Sequence, residues 1–370
     1  MAELLTNTTD LTKVASAIRE KGGTSDQLVY PDGFVMAIQA IQTGTELKIV
    51  GSVTSGATVT ATKGSLSVSG TSVNNSCTLT VPEAGTWNVK ATLGGLTSDA
   101  KSISITGIYD VTLSFVSSTL NNNDWATIKE VSDKGQGANY WSVGDCKAVT
   151  LNGTVGTLTL SNYTIYAFIL GFNHNAELEG QNRIHFQLGK TALSGGTDVA
   201  FCDYAYNNTG GGFRMNTSNT NNGGWESSQM RTAICGTSLT SYSGTILAVI
   251  PAALRAVLKS VTKYTNNIGN SYAETAVTAT TDYFFLLSEY EVFGAKKYSN
   301  VDEKNKQAQY AYYSAGNSKI KYNHGATSTA VIVWLRSSAY QAYFVSVKVD
   351  GTVDTQFAGY SEGFAPGFCV

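Results

Sequence analysis

The chain has 370 residues, room for two or three domains of roughly 100–200 residues each. Hydrophobic residues make up 42%, enough for real cores, but charged residues only 14%, so the polar surface must be built from Ser, Thr, Asn, Gly and Tyr. A formal net charge of −2 offers no attraction to phosphate backbones or anionic lipid, and no run approaches the ~18 apolar residues of a spanning helix, so neither nucleic-acid binding nor membrane insertion is expected.

Residues 1–44 read as helical. Leu11, Val14 and Ile18 fall on one face, Thr9 or Asp10 can cap the start, and Gly22-Gly23 ends the run. Pro31 suits the first turn of a second helix with Phe34, Ile38 and Ile41 as its stripe. Two helices this short cannot bury a core alone, so a partner, symmetry copies or the next domain should cover them.

Residues 45–107 switch to period two. Leu66-Ser67-Val68, Cys77 to Val81, Trp87 to Ala91 and Ile103-Ser104-Ile105 alternate between turns at Gly64, Asn74-Asn75, Gly85 and Gly94-Gly95. Short strands at this spacing predict a small all-β sandwich with Trp87 as its core anchor.

Residues 108–370 carry mixed signals and predict an α+β domain. Asp124 can cap a helix bearing Trp125, Ile128 and Val131, stopped by Gly135-Gln136-Gly137. Thr164–Gly171, Arg183–Leu188, Phe284–Leu287, Val331–Leu335 and Tyr343–Val349 read as strands, with Asp350-Gly351 a turn. Trp225–Cys235 and Ala252–Tyr264 read as helices, and Asn207–Gly224 as a long loop.

Three stretches carry a family resemblance. Trp141-Ser142-Val143-Gly144-Asp145, Gly224-Trp225-Glu226 through Arg231, and Asp282 through Gly294 are followed by Trp334-Leu335-Arg336-Ser337, Asp350-Gly351 and Gly363-Phe364-Ala365-Pro366-Gly367-Phe368. In that order, 108–370 resembles a C-type-lectin-like domain of phages and prophages, related to the fold of formylglycine-generating enzymes and to the variable proteins of diversity-generating retroelements. The stretch from Ser55 to Trp87 resembles Ig-like spacers of phage tails, and Leu11 to Ile41 looks like the opening of a tail fibre. The resemblance implies a multidomain tail-tip protein: a helical attachment segment, an Ig-like sandwich, and a receptor-binding domain recognising a bacterial surface glycan or protein. Attachment to other tail or baseplate proteins through 1–44 and a homotrimer follow as expectations, with a structural tail component or a glycan-degrading enzyme as alternatives.

The first residues, Met1 to Leu5, contain an acid where a leader would be basic, so no secretion leader is expected. A virion protein made in the host cytoplasm and released by lysis fits such a chain. The five cysteines, Cys77, Cys146, Cys202, Cys235 and Cys369, are odd in number and form no CxxC, so buried free thiols are expected rather than disulfides or zinc.

Enzyme signatures are missing: there is no HExxH, GxSxG or P-loop, and the copper-handling cysteine pair of the formylglycine-generating enzymes does not map onto this chain. His185 reads as structural, whereas His174 and His324 lie in polar turns and could touch a ligand. Glu289 and Glu291, two apart at an expected strand end, face opposite ways and make a poor glycosidase pair. Bidentate ion pairs of Arg336 and Arg231 with Glu289, Glu291 or Asp282, pinning loops in place, are preferred. No cofactor is expected. For calcium, only Asp203, Asn207, Asn208 and Glu226 offer oxygens, too few for the six to eight ligands it takes.

The positive case is a binding face between Trp334 and Phe364. Its candidates are Ser337, Ser338, Tyr340, Gln341, Tyr343, Tyr360, Ser361 and Glu362, with Tyr206 and Asn208 as a second part beside Tyr204, Asn216 and 219–222. Tyr supplies rigid contact area and small polar residues adaptable hydrogen bonds. One of Tyr343 and Phe344 must turn into the core.

Overall fold

The computed structural model describes residues 8–22, 27–29, 32–40, 46–94 and 96–370. The chain is multidomain, mostly β with short helices, and divides into two compact units, 1–115 and 116–370.

In the first unit, α1 (Thr8–Gly22) and α2 (Asp32–Ala40) meet through Ala15, Ile18, Phe34 and Ala37. Val14 and Ile38 instead stand 39% and 53% exposed, because the small Ala15 and Ala37 are the residues that allow close helix approach. Thr9 and Asp10 sit inside the first turn of α1 rather than capping it. Gly23, Pro31 and Ile41 lie outside the described residues.

Eight strands follow: β1 (Lys48–Ser52), β2 (Thr58–Lys63), β3 (Leu66–Thr71), β4 (Ser76–Thr80), β5 (Gly85–Leu93), β6 (Leu96–Thr97), β7 (Lys101–Ile105) and β8 (Ile108–Thr112). One sheet runs β4-β1-β8; the other runs β3-β2-β5-β6, with β7 also on β5. Asn74 and Asn75, both at positive φ, turn the chain between β3 and β4, the conformation Asn tolerates best after Gly. Alternate residues of both sheets enter one core around Trp87, which is fully buried and donates from Nε1 to the Glu83 carbonyl. The boundary lies beyond the expected 107: β8 pairs in parallel with β1, so its register binds it to this unit.

The second unit begins with α3 (Trp125–Asp133), capped as expected by Asp124, whose Oδ1 accepts from Thr127 N–H at 2.7 Å. Then come α4 (Gly137–Tyr140), the long hairpin β9 (Cys146–Val155) and β10 (Leu158–Phe172), α5 (Ala176–Glu179), β11 (Ile184–Lys190) and β12 (Val199–Ala200). The expected helix over 225–235 shrinks to one wide turn, Met230–Cys235. The expected helix from Ala252 breaks after α6 (Ile246–Val249) and α7 (Ala252–Arg255), and the β-branched run beyond it becomes β13 (Val261–Asn266). The rest comprises β14 (Val277–Asp282), β15 (Phe284–Phe285), α8 (Glu289–Phe293), α9 (Ala311–Ser314), β16 (Lys321–Asn323), β17 (Ala326–Val331), β18 (Val333–Ser338), β19 (Tyr343–Val347), β20 (Val353–Phe357) and β21 (Gly367–Cys369).

A five-stranded antiparallel sheet, β15-β21-β11-β10-β9, forms the base of one large core containing Trp125, Trp141, Trp225 and Trp334. Two smaller antiparallel sheets are β18-β19-β20 and β13-β14. All five cysteines are buried and free, as expected. Among the described residues, no helix is long and apolar enough to cross a membrane.

Candidate binding face

Trp334 and Phe364, the two ends of the expected face, are both buried. Trp334 donates its indole N–H to the Phe213 carbonyl at 2.9 Å and its backbone N–H to Gly363. Phe364 pairs through its backbone with Phe201. Between β18 and β19 the chain makes a tight turn, in which Tyr343 N–H donates to the Tyr340 carbonyl at 3.0 Å. Tyr340 and Gln341 project from it; Tyr340 is 45% exposed. Behind Tyr340 the rings form a row: Tyr343 at 4.7 Å, then Phe357 4.3 Å further and Tyr360 5.8 Å beyond, all partly open to solvent. Phe344 is the core-facing neighbour of Tyr343.

The polar loop 216–224 braces this row. Asn221 is buried and its side-chain amide donates to the carbonyls of Ala339, Tyr340 and Tyr343 at 3.0–3.3 Å. Asn219 Oδ1 accepts from Gly359 N–H at 3.1 Å, and Asn216 N–H donates to Ala358. Gly223 and Gly269 tie the same loop to the exposed Ile268 turn: Gly223 N–H donates to Ile268, and a Cβ on Gly269 would lie 2.0 Å from the Asn221 carbonyl. Phe357 and Ile268 were not among the sequence candidates, and Asn221 was expected on the face itself, not as a buried brace behind it. A lone Phe and an Asn inside a polar tract carry no mark of their partners.

Ala342 occupies the third position of the Tyr340 turn at φ +73°, a region that penalises a Cβ. Ala342→Gly is therefore expected to stabilise the unit by about 1 kcal/mol, seen as a higher denaturation midpoint.

Four candidates leave the face, because their hydroxyl or carboxyl groups turn inward. Ser337 donates to Glu303 at 2.7 Å and accepts from Glu289 N–H, and Ser338 donates to the Asn266 carbonyl. Ser361 donates to Asp203 at 2.9 Å, and Glu362 is wholly buried. Tyr206 is half-buried, its hydroxyl accepting from Ile332 N–H, while Asn208 is exposed on a turn whose backbone is pinned to Ser361. Tyr204 is the most open of these rings, at 82%.

The ligand roles considered for two histidines meet similar corrections. His174 is buried and stacked on Tyr310 with ring centroids 3.8 Å apart; burial pushes its pKa down to about 3. His324 is half-buried, its Nδ1 accepting from Cys202 N–H. His185 is structural, hydrogen-bonded to the Tyr310 hydroxyl.

Asp203 spends its oxygens on Thr157, Gly212, Ala205 and Ser361, so it cannot also serve calcium with the exposed Glu226, Asn207 and Asn208. Those residues do not fit a calcium site.

The acidic residues of α8 are sealed. Ser288 and Glu291 form a capping box, so this segment is a helix rather than the expected strand end. Glu289 accepts backbone N–H groups of Lys297, Tyr298 and Ser299, and Glu291 takes both arms of the Arg336 guanidinium. Arg231 pairs with Asp282 at 2.6 Å. Both arginines find carboxylates from the expected set, but only Arg336 is two-armed, since Arg231 meets Asp282 through Nε and turns its other nitrogens to carbonyls; neither Glu289 nor Glu291 reaches solvent.

His174, Glu179 and Glu291 bring ligand-type atoms within 4.8 Å, but the Lys263 ammonium already lies between the two carboxylates, at 2.5 and 2.8 Å. A separate polar cleft of about 370 Å³ lies at Gly144, Asp145, Cys146 and the 192–196 loop. Its Lys190 is bound to Asp198, and burial pushes the Cys146 thiol up to about 11.

No curated protein and no solved structure matches the chain. A family model described as a domain of unknown function, DUF6273, matches residues 204–370, the stretch that contains the aromatic row and its asparagine braces.

Proposed function

We propose that the chain is a host-recognition protein of a bacteriophage tail tip. In this reading its second unit is a C-type-lectin-like domain, and the β-rich part of its first unit is an Ig-like spacer. The helical pair attaches it to the tail, and the assembly is a homotrimer in the virion. The ligand is a bacterial surface glycan or protein, bound without a metal and without chemistry.

One observation carries the reading. Tyr340, Tyr343, Phe357 and Tyr360 form a continuous, partly open aromatic row on backbone clamped by buried asparagine. Partly exposed rings backed by a rigid frame give contact area with little ordering entropy to lose on binding. The neighbouring Gln341 and Asn222 supply uncharged hydrogen-bonding groups.

The purified chain should coat host cells and block phage adsorption. Tyr340→Ala and Tyr360→Ala should each weaken that binding about tenfold or more, with the unfolding midpoint nearly unchanged. Undiminished binding by both variants would reject the face and favour a decorating role.

A further inference from the structure

The Lys263 side chain, on β13, is fully buried and ends between two carboxylates from different elements. Its Nζ lies 2.5 Å from Glu179 Oε2 on α5 and 2.8 Å from Glu291 Oε1 on α8. The Tyr310 hydroxyl is 2.9 Å away, and the Phe285 ring closes one side at 4.3 Å. Two differences separate the acids. Glu291 is held as an anion by Arg336 as well as by Lys263. Among the described residues Glu179 makes direct contact with no second Lys or Arg; its other oxygen meets Asn175 and, at 3.8 Å, His174. Burial pushes the Glu179 pKa up to about 7.

We propose that Lys263 and Glu179 are a self-cross-linking pair that condenses to an isopeptide bond, with Glu291 as the proton carrier. The ammonium proton first crosses the short hydrogen bond to Glu179, leaving a neutral amine beside a neutral carboxylic acid. Nζ then attacks Glu179 Cδ, and the carbonyl electrons move onto oxygen. Glu291 takes a proton from the nitrogen and returns it to the departing hydroxyl, which leaves as water while the carbonyl re-forms. One N–C bond is made, one C–O bond is broken, one water is released, and Glu291 ends as it began. No oxidant or external activator is needed.

Two physical effects drive it. A site without solvent penalises the charged pair relative to the neutral one. The contact geometry also replaces a bimolecular encounter by an intramolecular one with a very high effective concentration. The product would tie α5 to β13 across 84 residues of chain. A molecule whose cysteines are all free would thereby gain the covalent brace that disulfides give elsewhere.

The test is the intact mass of the full chain under denaturing conditions, after prolonged incubation of the folded protein. The expected mass is one water below the sequence value, with a branched proteolytic peptide joining Lys263 to Glu179. Lys263→Arg, which keeps the charge but not the nucleophile, should show the full sequence mass. A wild-type chain that stays at full mass overturns the proposal, and so does a water loss that maps to other residues. Neither outcome bears on the binding face.

Discussion

Replacing Arg336 with Met is expected to destabilise the second unit by about 3–5 kcal/mol, the range for breaking an ion pair inside a core. Arg336 is wholly buried, and its guanidinium reaches Glu291 on α8, Thr265 Oγ1 on β13 at 2.8 Å, and the Leu286 carbonyl just after β15 at 2.8 Å. Burial works to raise the Glu291 pKa, yet the charges of Arg336 and Lys263 hold it well below the usual carboxylate range. Without Arg336 that anion keeps only one cation in contact among the described residues, Lys263, which Glu179 already shares, beside the Ser288 N–H. Arg336→Lys should fall between, because it restores charge but not the planar two-armed contact. Denaturant midpoints followed by tryptophan emission report this unit well, since Trp125, Trp141, Trp225 and Trp334 lie in it and only Trp87 outside. A loss below about 1 kcal/mol for Arg336→Met would contradict the assignment.

Glu362→Gln should work in the opposite direction and depend on pH. Glu362 is buried and neither carboxyl oxygen has a hydrogen-bond partner among the described residues; burial pushes its pKa up to about 8. The folded state therefore binds a proton that the unfolded chain releases near its ordinary value of about 4.3. The wild type should be most stable relative to the variant below that value. It should lose ground as pH rises from there to about 8, and change no further above. At pH 7 the amide, which never ionises, should exceed the wild type by roughly 3 kcal/mol; near pH 4 the gap should nearly vanish. Comparing the two proteins at each pH cancels the other buried acids, such as Glu303, which burial raises to about 7. A gap that is the same at pH 4 and pH 9 would refute the assignment.

Local pattern was legible wherever one residue type had one physical role. Trp87 to Ala91 alternates into the core, Asp124 caps its helix, and scarce charges set among apolar residues, Arg336 and Arg231, found carboxylates. The misreadings came from residues with two roles. Ser337, Ser338 and Ser361 could have displayed their hydroxyls or clasped the core, and their sequence is the same in either case. Ser288 to Glu291 carried a helix-start pattern that the surrounding apolar run disguised as a strand. Val261 to Asn266 followed a true helical turn so closely that its switch of period went unseen, and with it Lys263. The network around Lys263 depends on contacts spanning tens of residues, which no local window contains. The aromatic row was half legible: Tyr340, Tyr343 and Tyr360 stood out, but Phe357 joined only through the pairing of β19 with β20.

The Asn221 clamp separates shape from identity. It holds the Tyr340 turn by three main-chain carbonyls, none of which depends on what side chain the turn carries. Tyr340 and Gln341 can therefore be exchanged with small changes in folding free energy, as exposed positions generally allow. Position 221 itself has no such latitude, because only a buried amide reaches all three acceptors. Under the proposed binding role, the turn could change its ligand while its scaffold stays still, and a library varied at 340 and 341 on a fixed Asn221 would test this at little risk to the fold.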